Sequence, residues 1–373
     1  MKAIFKTVLS ILIICTFLSS CAKTSKRIND LTIVQALAVD SKDSGVSASL
    51  QYLNLFENSG SSQEINKSIT SVTKSDGKNI SDAVFNASKT VSNDIFFGQN
   101  KLIVFGFDYS KNNIDSGIEY LLKSNESRPD VTVAIGYPNA EEIIKSKEKG
   151  AQIPAQNIYS LIRLGDESGH AIAVTVCDLL NLYNDETSDI YMPVLSTEKD
   201  SVKCEGTLVF SRNKPSVFLN EDETLGLLLV KNRFESGIIT FDTEKSGEVS
   251  VKINSSKAKI KVENIGGKIR FNVNIKAKFT VSETGSTIKN PLTEVDCNAI
   301  QKACEEKLEK LCEASVKKCF ENESDPFMCA RYLYMENMEL YNDLKDNWRE
   351  NLEHIQISVK AKTKMQRVLN NAS

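Results

Sequence analysis

Cys21 is the residue whose position most directly predicts a chemical modification of this chain. It ends the run 18–21 (LSSC), which follows two lysines and an apolar segment over 8–17. A charged start, an apolar stretch and small residues before a cleavage point are typical of a secretory signal peptide. The run also resembles a lipobox, in which the cysteine is acylated and becomes the mature N-terminus. We therefore predict a signal peptide over 1–20 and lipidation of Cys21; the alternative is an ordinary signal peptide with an incidental cysteine.

The apolar segment before Cys21 is too short to span a bilayer as a helix. Ten helical residues rise about 15 Å, which is half of a hydrocarbon core of about 30 Å. No later apolar run in the sequence approaches 18 residues. The predicted attachment is therefore a diacylglyceryl anchor at Cys21, which holds a protein at a membrane surface without crossing it.

Seven more cysteines follow Cys21, and an odd number does not predict a disulfide framework. Cys297, Cys304, Cys312 and Cys319 are spaced by seven, eight and seven residues. On a helix they would share one face at about 10.5 Å intervals, beyond the roughly 7 Å Cα separation that a disulfide allows. The spacing also differs from the short pairs of zinc sites. We interpret these thiols as core residues, with a metal or a bridge between elements as the alternative.

The sequence offers little that could perform catalysis. Ser168 and His170 are two residues apart, which is not a triad spacing, and no G-x-S-x-G motif occurs. We expect His170 in a loop, His354 in a structural position, and the carboxylate pair at 305–306 on a solvated helix face. No P-loop is present. The prediction is a protein that is not an enzyme and that needs no cofactor or metal.

Basic residues alternate with apolar ones along the strands predicted near the C-terminus. This pattern is expected to place eleven cations on one sheet face: Lys252, Lys257, Lys259, Lys261, Lys268, Arg270, Lys276, Lys278, Lys360, Lys362 and Lys364. We single out Lys276, Lys278, Lys360 and Lys362 as a surface that faces a membrane or a partner, since anionic headgroups attract such residues. The alternative is a solvated face that prevents aggregation. The net charge of −3 argues against nucleic acid as the partner.

The first half of the chain reads as mixed α and β. Apolar strands at 31–39 and 46–52 flank turn residues and predict a hairpin, and a third strand is expected at 65–73. Asn79 and Asn139 are positioned to cap helices. Strands at 102–107 and 131–136 flank a helical pattern, which predicts a βαβ unit. We predict an N-terminal domain over 21–197, with room for two subdomains.

The second half predicts an α+β domain over 198–373, beginning near the polar break at 197–201. A hairpin is expected at 206–219 and a helical turn at 224–230. Alternating strands follow at 249–262, 269–281 and 355–365. Two helices are expected, one through the cysteine-lined face at 297–319 and one at 326–348. The predicted architecture is an antiparallel sheet packed on one face by these long helices.

The order of these segments resembles the Ger(x)C family, the lipoprotein C subunits of bacterial spore nutrient germinant receptors. After the lipobox, the likeness lies in 31–40 (LTIVQALAVD), 93–106 (NDIFFGQNKLIVFG) and 206–210 followed by 225–228. It is strongest from the helix at Cys297 through 341–348 (YNDLKDNW) to the last strand. Gln99 departs from the histidine that is common in the family, and Asn370 from a common glycine.

The resemblance implies a non-enzymatic subunit on the outer surface of the spore inner membrane. It implies that the protein acts with an A subunit and a multi-spanning B subunit to trigger germination in response to nutrients. No functional residue beyond Cys21 can be carried over from the family. The alternative function is a substrate-binding lipoprotein of a membrane transporter, which would need two similar α/β lobes.

Overall fold

The fold is described from a computed structural model of the 373-residue chain. It covers residues 27–54, 69–124, 128–146, 152–199, 201–244, 247–285 and 293–366. The predicted signal peptide, Cys21 and Asn370 lie outside the described residues. Within the described ranges, no helix combines the length and apolar character that crossing a bilayer requires.

Nine strands form one large sheet in the order β3-β2-β1-β5-β6-β7-β8-β9, with β4 pairing beside β1. The strands are β1 (Leu31–Lys42), β2 (Gly45–Leu53), β3 (Thr70–Gly77), β4 (Asp94–Phe96), β5 (Leu102–Gly106), β6 (Thr132–Gly136), β7 (Tyr191–Glu198), β8 (Ser201–Ser211) and β9 (Lys214–Leu219). The predicted hairpin of β1 and β2 is confirmed; its turn lies at 43–44, and β2 begins at Gly45, whose φ is 139°. The third strand starts at Thr70, later than expected, and residues 65–68 lie outside the described part.

Strands β1, β5, β6 and β7 are parallel, and helices connect β5 to β6 and β6 to β7. The helices of this half are α1 (Ile80–Ala87), α2 (Phe107–Lys123), α3 (Ala140–Lys145), α4 (Pro154–Ser168) and α5 (Val176–Tyr183). The predicted βαβ unit is confirmed as β5–α2–β6. Both predicted caps are also confirmed, because the Asn79 and Asn139 side chains accept from the backbone N–H groups of Asp82 and Glu142.

The large sheet is covered by helices on both faces, which is why its central strands are apolar throughout. Leu37 and Val39 of β1 face α1, α2 and α5, while Ala36 and Ala38 face α3 and α4. The small alanines let α3 and α4 approach the sheet closely. The core on the α2 side continues without interruption into the second half of the chain.

The polar break at 197–201 falls where β7 ends at Glu198 and β8 begins at Ser201, and these two strands pair antiparallel. The predicted hairpin of β8 and β9 is confirmed, and both strands belong to the large sheet. The sheet and the core therefore cross the boundary expected at 197/198, and the division into two domains stays a prediction.

The second sheet has the order β10-β11-β12-β13. Its strands are β10 (Gly237–Thr243), β11 (Gly247–Ile265), β12 (Lys268–Thr284) and β13 (Gln356–Met365). The α+β class is confirmed, with one difference: β13 runs parallel to β12, whereas β10, β11 and β12 are antiparallel. The helices between β12 and β13 return the chain to the end where β12 began, so that the last strand repeats its direction.

The helices of the second half are α6 (Glu221–Val230), α7 (Glu294–Phe320), α8 (Cys329–Glu336), α9 (Met338–Leu344) and α10 (Trp348–Asn351). The predicted cysteine-lined helix is confirmed as α7. The expectation of one helix over 326–348 is wrong. The chain breaks at Asn337, whose backbone is not helical (φ −150°, ψ 89°) and whose side chain caps α9 by accepting from the N–H of Leu340.

Candidate interaction face and buried charge cluster

The predicted basic residues lie on one face of the second sheet. The strand register places Lys257 opposite Lys276, and Lys276 opposite Lys362. Lys278 is opposite Lys364 on the next row. All of these side chains are exposed, as are Lys360 and the other predicted lysines, whereas Arg270 is half-buried. The structure therefore brings the eleven cations of the sequence prediction onto one surface, here called the basic face.

Few acidic groups balance the charge of the basic face. Glu263 forms an ion pair with Lys261 at 2.7 Å and accepts from the Asn272 side chain. Within the described residues, Lys276, Lys278, Lys360 and Lys362 form no ion pair. Side chains directly opposite each other on neighbouring strands have Cβ atoms about 4.5–5.5 Å apart, and like charges at that distance are destabilising. The row of Lys257, Lys276 and Lys362 thus does not stabilise the isolated sheet.

The opposite face of the sheet is apolar and holds the basic face in place. Phe271, Val273 and Ile275 of β12 are buried against the helices, and Phe271 packs edge-on against Phe320 of α7 with ring centroids 5.6 Å apart. Because side chains alternate across a strand, the burial of Ile275 forces the next side chain, Lys276, outward.

Carboxylates from α7 close the outer edge of β13. Glu309 Oε1 accepts from the N–H of Ala361 at 2.8 Å, and Glu305 Oε1 accepts from the N–H of Thr363 at 2.7 Å. The expectation that Glu305 lies on a solvated helix face is therefore wrong, since Glu305 is half-buried and bound to the sheet, while Glu306 is exposed. Open strand edges invite pairing with other chains, and these two side chains occupy the donors that such pairing needs.

The cysteines lie mostly in the core. Cys304, Cys312, Cys319 and Cys329 are buried, which confirms the core interpretation for three of the helix positions, whereas Cys297 is only half-buried. Burial raises the pKa of the Cys304 thiol to about 12, so this thiol is protonated and unreactive at neutral pH. Among the described residues, no group of three or more His, Cys, Asp or Glu side chains is placed to hold a metal ion.

Ser168 and His170 do not form a catalytic pair. The Ser168 hydroxyl donates to the carbonyl of Leu164 in its own helix at 2.6 Å. The His170 ring instead contacts Glu221 through Nδ1 at 2.6 Å, and both side chains are exposed. His354 is also exposed, beside Glu353. These contacts give neither histidine a nucleophile to activate.

The structure contains a buried charge cluster that the sequence did not predict. Asp189 and Asp325 are 3% and 2% exposed. Asp189 Oδ1 accepts from Arg349 Nη2 at 2.6 Å, and Asp325 Oδ2 accepts from Trp348 Nε1 at 3.1 Å. The cluster joins the chain before β7, the loop after α7 and the start of α10. The only sequence pattern noted at this cluster is the segment 341–348, which ends at Trp348, the single tryptophan of the chain.

Burial and hydrogen bonding shift the pKa of Asp325 in opposite directions. Desolvation raises the pKa of this carboxyl to about 6, and the neighbouring Asp189 adds to the increase. The N–H groups of Cys329 and Ala330 donate to it, each at 2.9 Å, and lower the pKa in part. The carboxyl also caps the start of α8, a position where acidic groups are favourable.

Comparison with known proteins places this fold among spore germination proteins. Residues 24–197 match the family described as spore germination protein N-terminal domain, and residues 205–368 match spore germination B3/GerAC like, C-terminal. The spore germination protein GerQC of Bacillus cereus is 23% identical over 95% of this chain and 96% of its own. The spore germination protein B3 of Bacillus subtilis (strain 168) is 24% identical over 87% of this chain and 88% of its own.

The crystal structure of the GerBC protein has the same fold. It superposes with a TM-score of 0.60 at 21% identity, covering 89% of this chain and 97% of that chain. The two family matches together span most of the sequence, on both sides of the β7–β8 turn. The chain therefore belongs to the Ger(x)C family of spore germination proteins.

Proposed function

We propose that this protein is the lipid-anchored C subunit of a spore nutrient germinant receptor. In this proposal it is not catalytic, and it acts beside an A subunit and a multi-spanning B subunit on the outer surface of the spore inner membrane. The observation that carries the proposal is the match of both halves of the chain to the GerAC family. The lipobox ending in Cys21 supports the anchor.

A coupling role fits the described residues better than catalysis does. Ser168 and His170 have separate partners, and the buried Asp325 is bound by backbone donors and Trp348. A lipid anchor confines a protein to the membrane surface and raises its effective concentration near membrane partners. One acyl chain binds only marginally, so the diacyl anchor at Cys21 is the part that makes the attachment stable.

The basic face is the surface that we propose meets anionic headgroups or an acidic partner. Lys276, Lys278, Lys360 and Lys362 are exposed and lack ion pairs within the described chain. A basic residue near a charged membrane contributes about 1 kcal/mol, so four of them would add substantially to the lipid anchor. An anionic surface lying against the row of Lys257, Lys276 and Lys362 would also offset the repulsion between these like charges.

The anchor is tested with Cys21→Ala in spores. We expect the variant protein to leave the membrane fraction and the germination response to its nutrients to weaken, scored by release of dipicolinic acid. Deletion of the gene should abolish the response to one nutrient set, and the intact gene should restore it. Full membrane retention with normal germination in Cys21→Ala would contradict the proposed anchor.

The basic face is tested by replacing Lys276, Lys278, Lys360 and Lys362 with glutamate. We expect lower binding to vesicles that contain phosphatidylglycerol, or lower germination if the partner is an acidic protein surface. The matched control reverses four exposed lysines on the helical side, Lys302, Lys310, Lys317 and Lys345. Unchanged vesicle binding and unchanged germination in the first variant would remove the proposed role of this face.

The alternative of a transporter's binding lipoprotein predicts two similar α/β lobes around a ligand. The nine-stranded sheet and the four-stranded sheet differ in strand order and direction. That difference favours the receptor-subunit proposal over the binding-lipoprotein alternative.

A further inference from the structure

A cleft of about 1010 Å³ lies at the carboxyl ends of the parallel strands β5, β6 and β7. Phe107 directly follows β5, Tyr137 directly follows β6, and Ser196 lies near the end of β7. In open α/β sheets, ligands bind outside the carboxyl ends of the strands. The volume reaches the upper end of the usual range for small-molecule sites, about 300–1,000 Å³.

The walls of the cleft are aromatic. The rings of Phe107 and Tyr137 meet edge to face with centroids 5.5 Å apart. Tyr137 is 52% exposed, and Phe218, which also lines the cleft, is 42% exposed. The buried side chains of Val194 and Leu208 line the same space. Large aromatic surface left open beside an apolar lining is typical of a site that an apolar group covers.

Phe218 is held in a fixed place on this wall. It sits on β9 opposite Leu208 of β8. A Cβ atom at Gly206 would lie 3.1 Å from Phe218 Cζ, so the ring packs across the bare backbone of that glycine. The wall is therefore part of the sheet itself, and rigid elements make more precise sites than loops do.

The charged groups of the cleft leave one cation without a partner. Lys111 pairs with Asp108 at 2.9 Å and lies over the Phe107 ring. Glu205 accepts from the Ser196 hydroxyl at 2.6 Å and pairs with Lys203 at 3.3 Å. The Lys214 ammonium forms no ion pair with the described residues.

We propose that this cleft binds a small molecule that has an aromatic ring and a carboxylate. The ring lies against Phe107, Tyr137 and Phe218, and the carboxylate meets Lys214. The aromatic side chains of the cleft favour a ligand with a ring, and Lys214, which has no ion-pair partner among the described residues, favours a ligand with a negative charge. This proposal does not depend on the function proposed above, because it rests on the lining of the cleft alone.

The test is isothermal titration of the full chain, held in phosphatidylcholine nanodiscs, with 3-phenylpropanoate. The uncharged probe 3-phenylpropanamide has the same ring and nearly the same shape, and empty nanodiscs give the blank. We expect the acid to bind with a dissociation constant of about 1 mM or tighter. The amide should bind about tenfold more weakly, since it lacks the charge-assisted contact.

Two variants separate the parts of the site. Lys214→Gln should weaken binding of the acid about tenfold and leave the amide unchanged. Phe218→Ala should weaken both probes, and Tyr137→Ala provides a second test of the wall if Phe218→Ala does not fold. Lys257→Gln, on the basic face, is the control for loss of one positive charge and should change neither. Absence of acid binding at millimolar concentration, or equal binding of acid and amide, would overturn the proposal.

Discussion

Asp189 and Asp325 bind each other across 136 residues of sequence. The N–H of Asp325 donates to Asp189 Oδ2 at 2.8 Å, and the N–H of Asp189 donates to the carbonyl of Asp325 at 3.1 Å. The contact fixes the loop after α7 to the segment that leads into the large sheet. Arg349 supplies the balancing positive charge.

Replacing Asp189 with alanine is expected to destabilise the protein strongly. The change leaves the Arg349 guanidinium, which is 21% exposed, without its carboxylate. It also leaves the N–H of Asp325 without an acceptor. Breaking one partner out of a buried ion pair lowers the free energy of unfolding by about 3–5 kcal/mol. Urea denaturation measures this value.

The matched control for Asp189→Ala is Glu306→Ala, which removes an exposed pair with Lys302. That change should lower the free energy of unfolding by less than about 1 kcal/mol. If the free energy of unfolding falls by the same small amount in both variants, the contact between Asp189 and Asp325 does not hold the two segments together as described.

Asp325 gives the protein a pH dependence of known sign. The pKa of this carboxyl is raised in the folded state, from 3.8 to about 6, so the folded protein binds its proton more tightly than the unfolded chain does. The contribution of Asp325 to stability is therefore greatest below about pH 4. It falls as pH rises through about 6, by at most about 1.4 kcal/mol per pH unit.

Comparison with Asp325→Asn isolates this contribution, because asparagine does not titrate. The stability of the natural protein relative to the variant should decrease between pH 4 and pH 6 and stay constant above that range. Urea denaturation at half-unit pH steps measures it. A relative stability that is constant with pH, or that rises, would show that the folded environment does not raise the pKa of Asp325.

Gly226 allows helices α6 and α7 to pack closely. A Cβ atom at this position would lie 2.2 Å from the carbonyl oxygen of Leu311. Within a helix, alanine is normally about 1 kcal/mol more favourable than glycine. At this position alanine should instead be less favourable than glycine. We expect Gly226→Ala to lower the free energy of unfolding by about 1–3 kcal/mol, since the two helix backbones must separate. Thermal unfolding tests it, and a stabilised variant would contradict the close packing.

The edge of β13 provides a fourth prediction. In the double variant Glu305→Ala, Glu309→Ala, the N–H groups of Thr363 and Ala361 lose their acceptors. We expect faster amide exchange along β13 and self-association through the opened edge. Hydrogen exchange and sedimentation velocity measure the two effects. Glu306→Ala, one position along the same helix, is the control, and a double variant that remains monomeric with protected β13 amides would refute the role of these carboxylates.

Much of the local structure could be predicted from the sequence because the signals are themselves local. Alternation along β12 and the helical spacing of Cys304 and Cys312 depend only on nearby residues. The Asn79 and Asn139 caps also act within one turn of helix. The basic face was predictable for the same reason, since apolar and basic residues alternate on strands that turned out to be neighbours.

The features that sequence reasoning missed depend on distant partners. The direction of β13 is set by the path of the helices before it. Glu305 resembles any surface glutamate until Thr363 is placed beside it. Asp325 is polar and lies in a loop sequence, and only the contacts with Asp189 and Trp348 explain its burial. Such residues carry no periodicity that a single sequence can reveal.

The parallel pairing of β12 and β13 has a geometric consequence for the basic face. Neighbouring strands rotate by about 20–25° relative to each other, so a four-stranded sheet cannot lie flat on a planar surface. Lys276 and Lys362 are register partners on two adjacent strands, and Lys360 and Lys278 lie one row to either side of them. These four ammonium groups can therefore touch one plane together, whereas Lys252 and Lys268, toward opposite ends of the long β11–β12 hairpin, curve away from it.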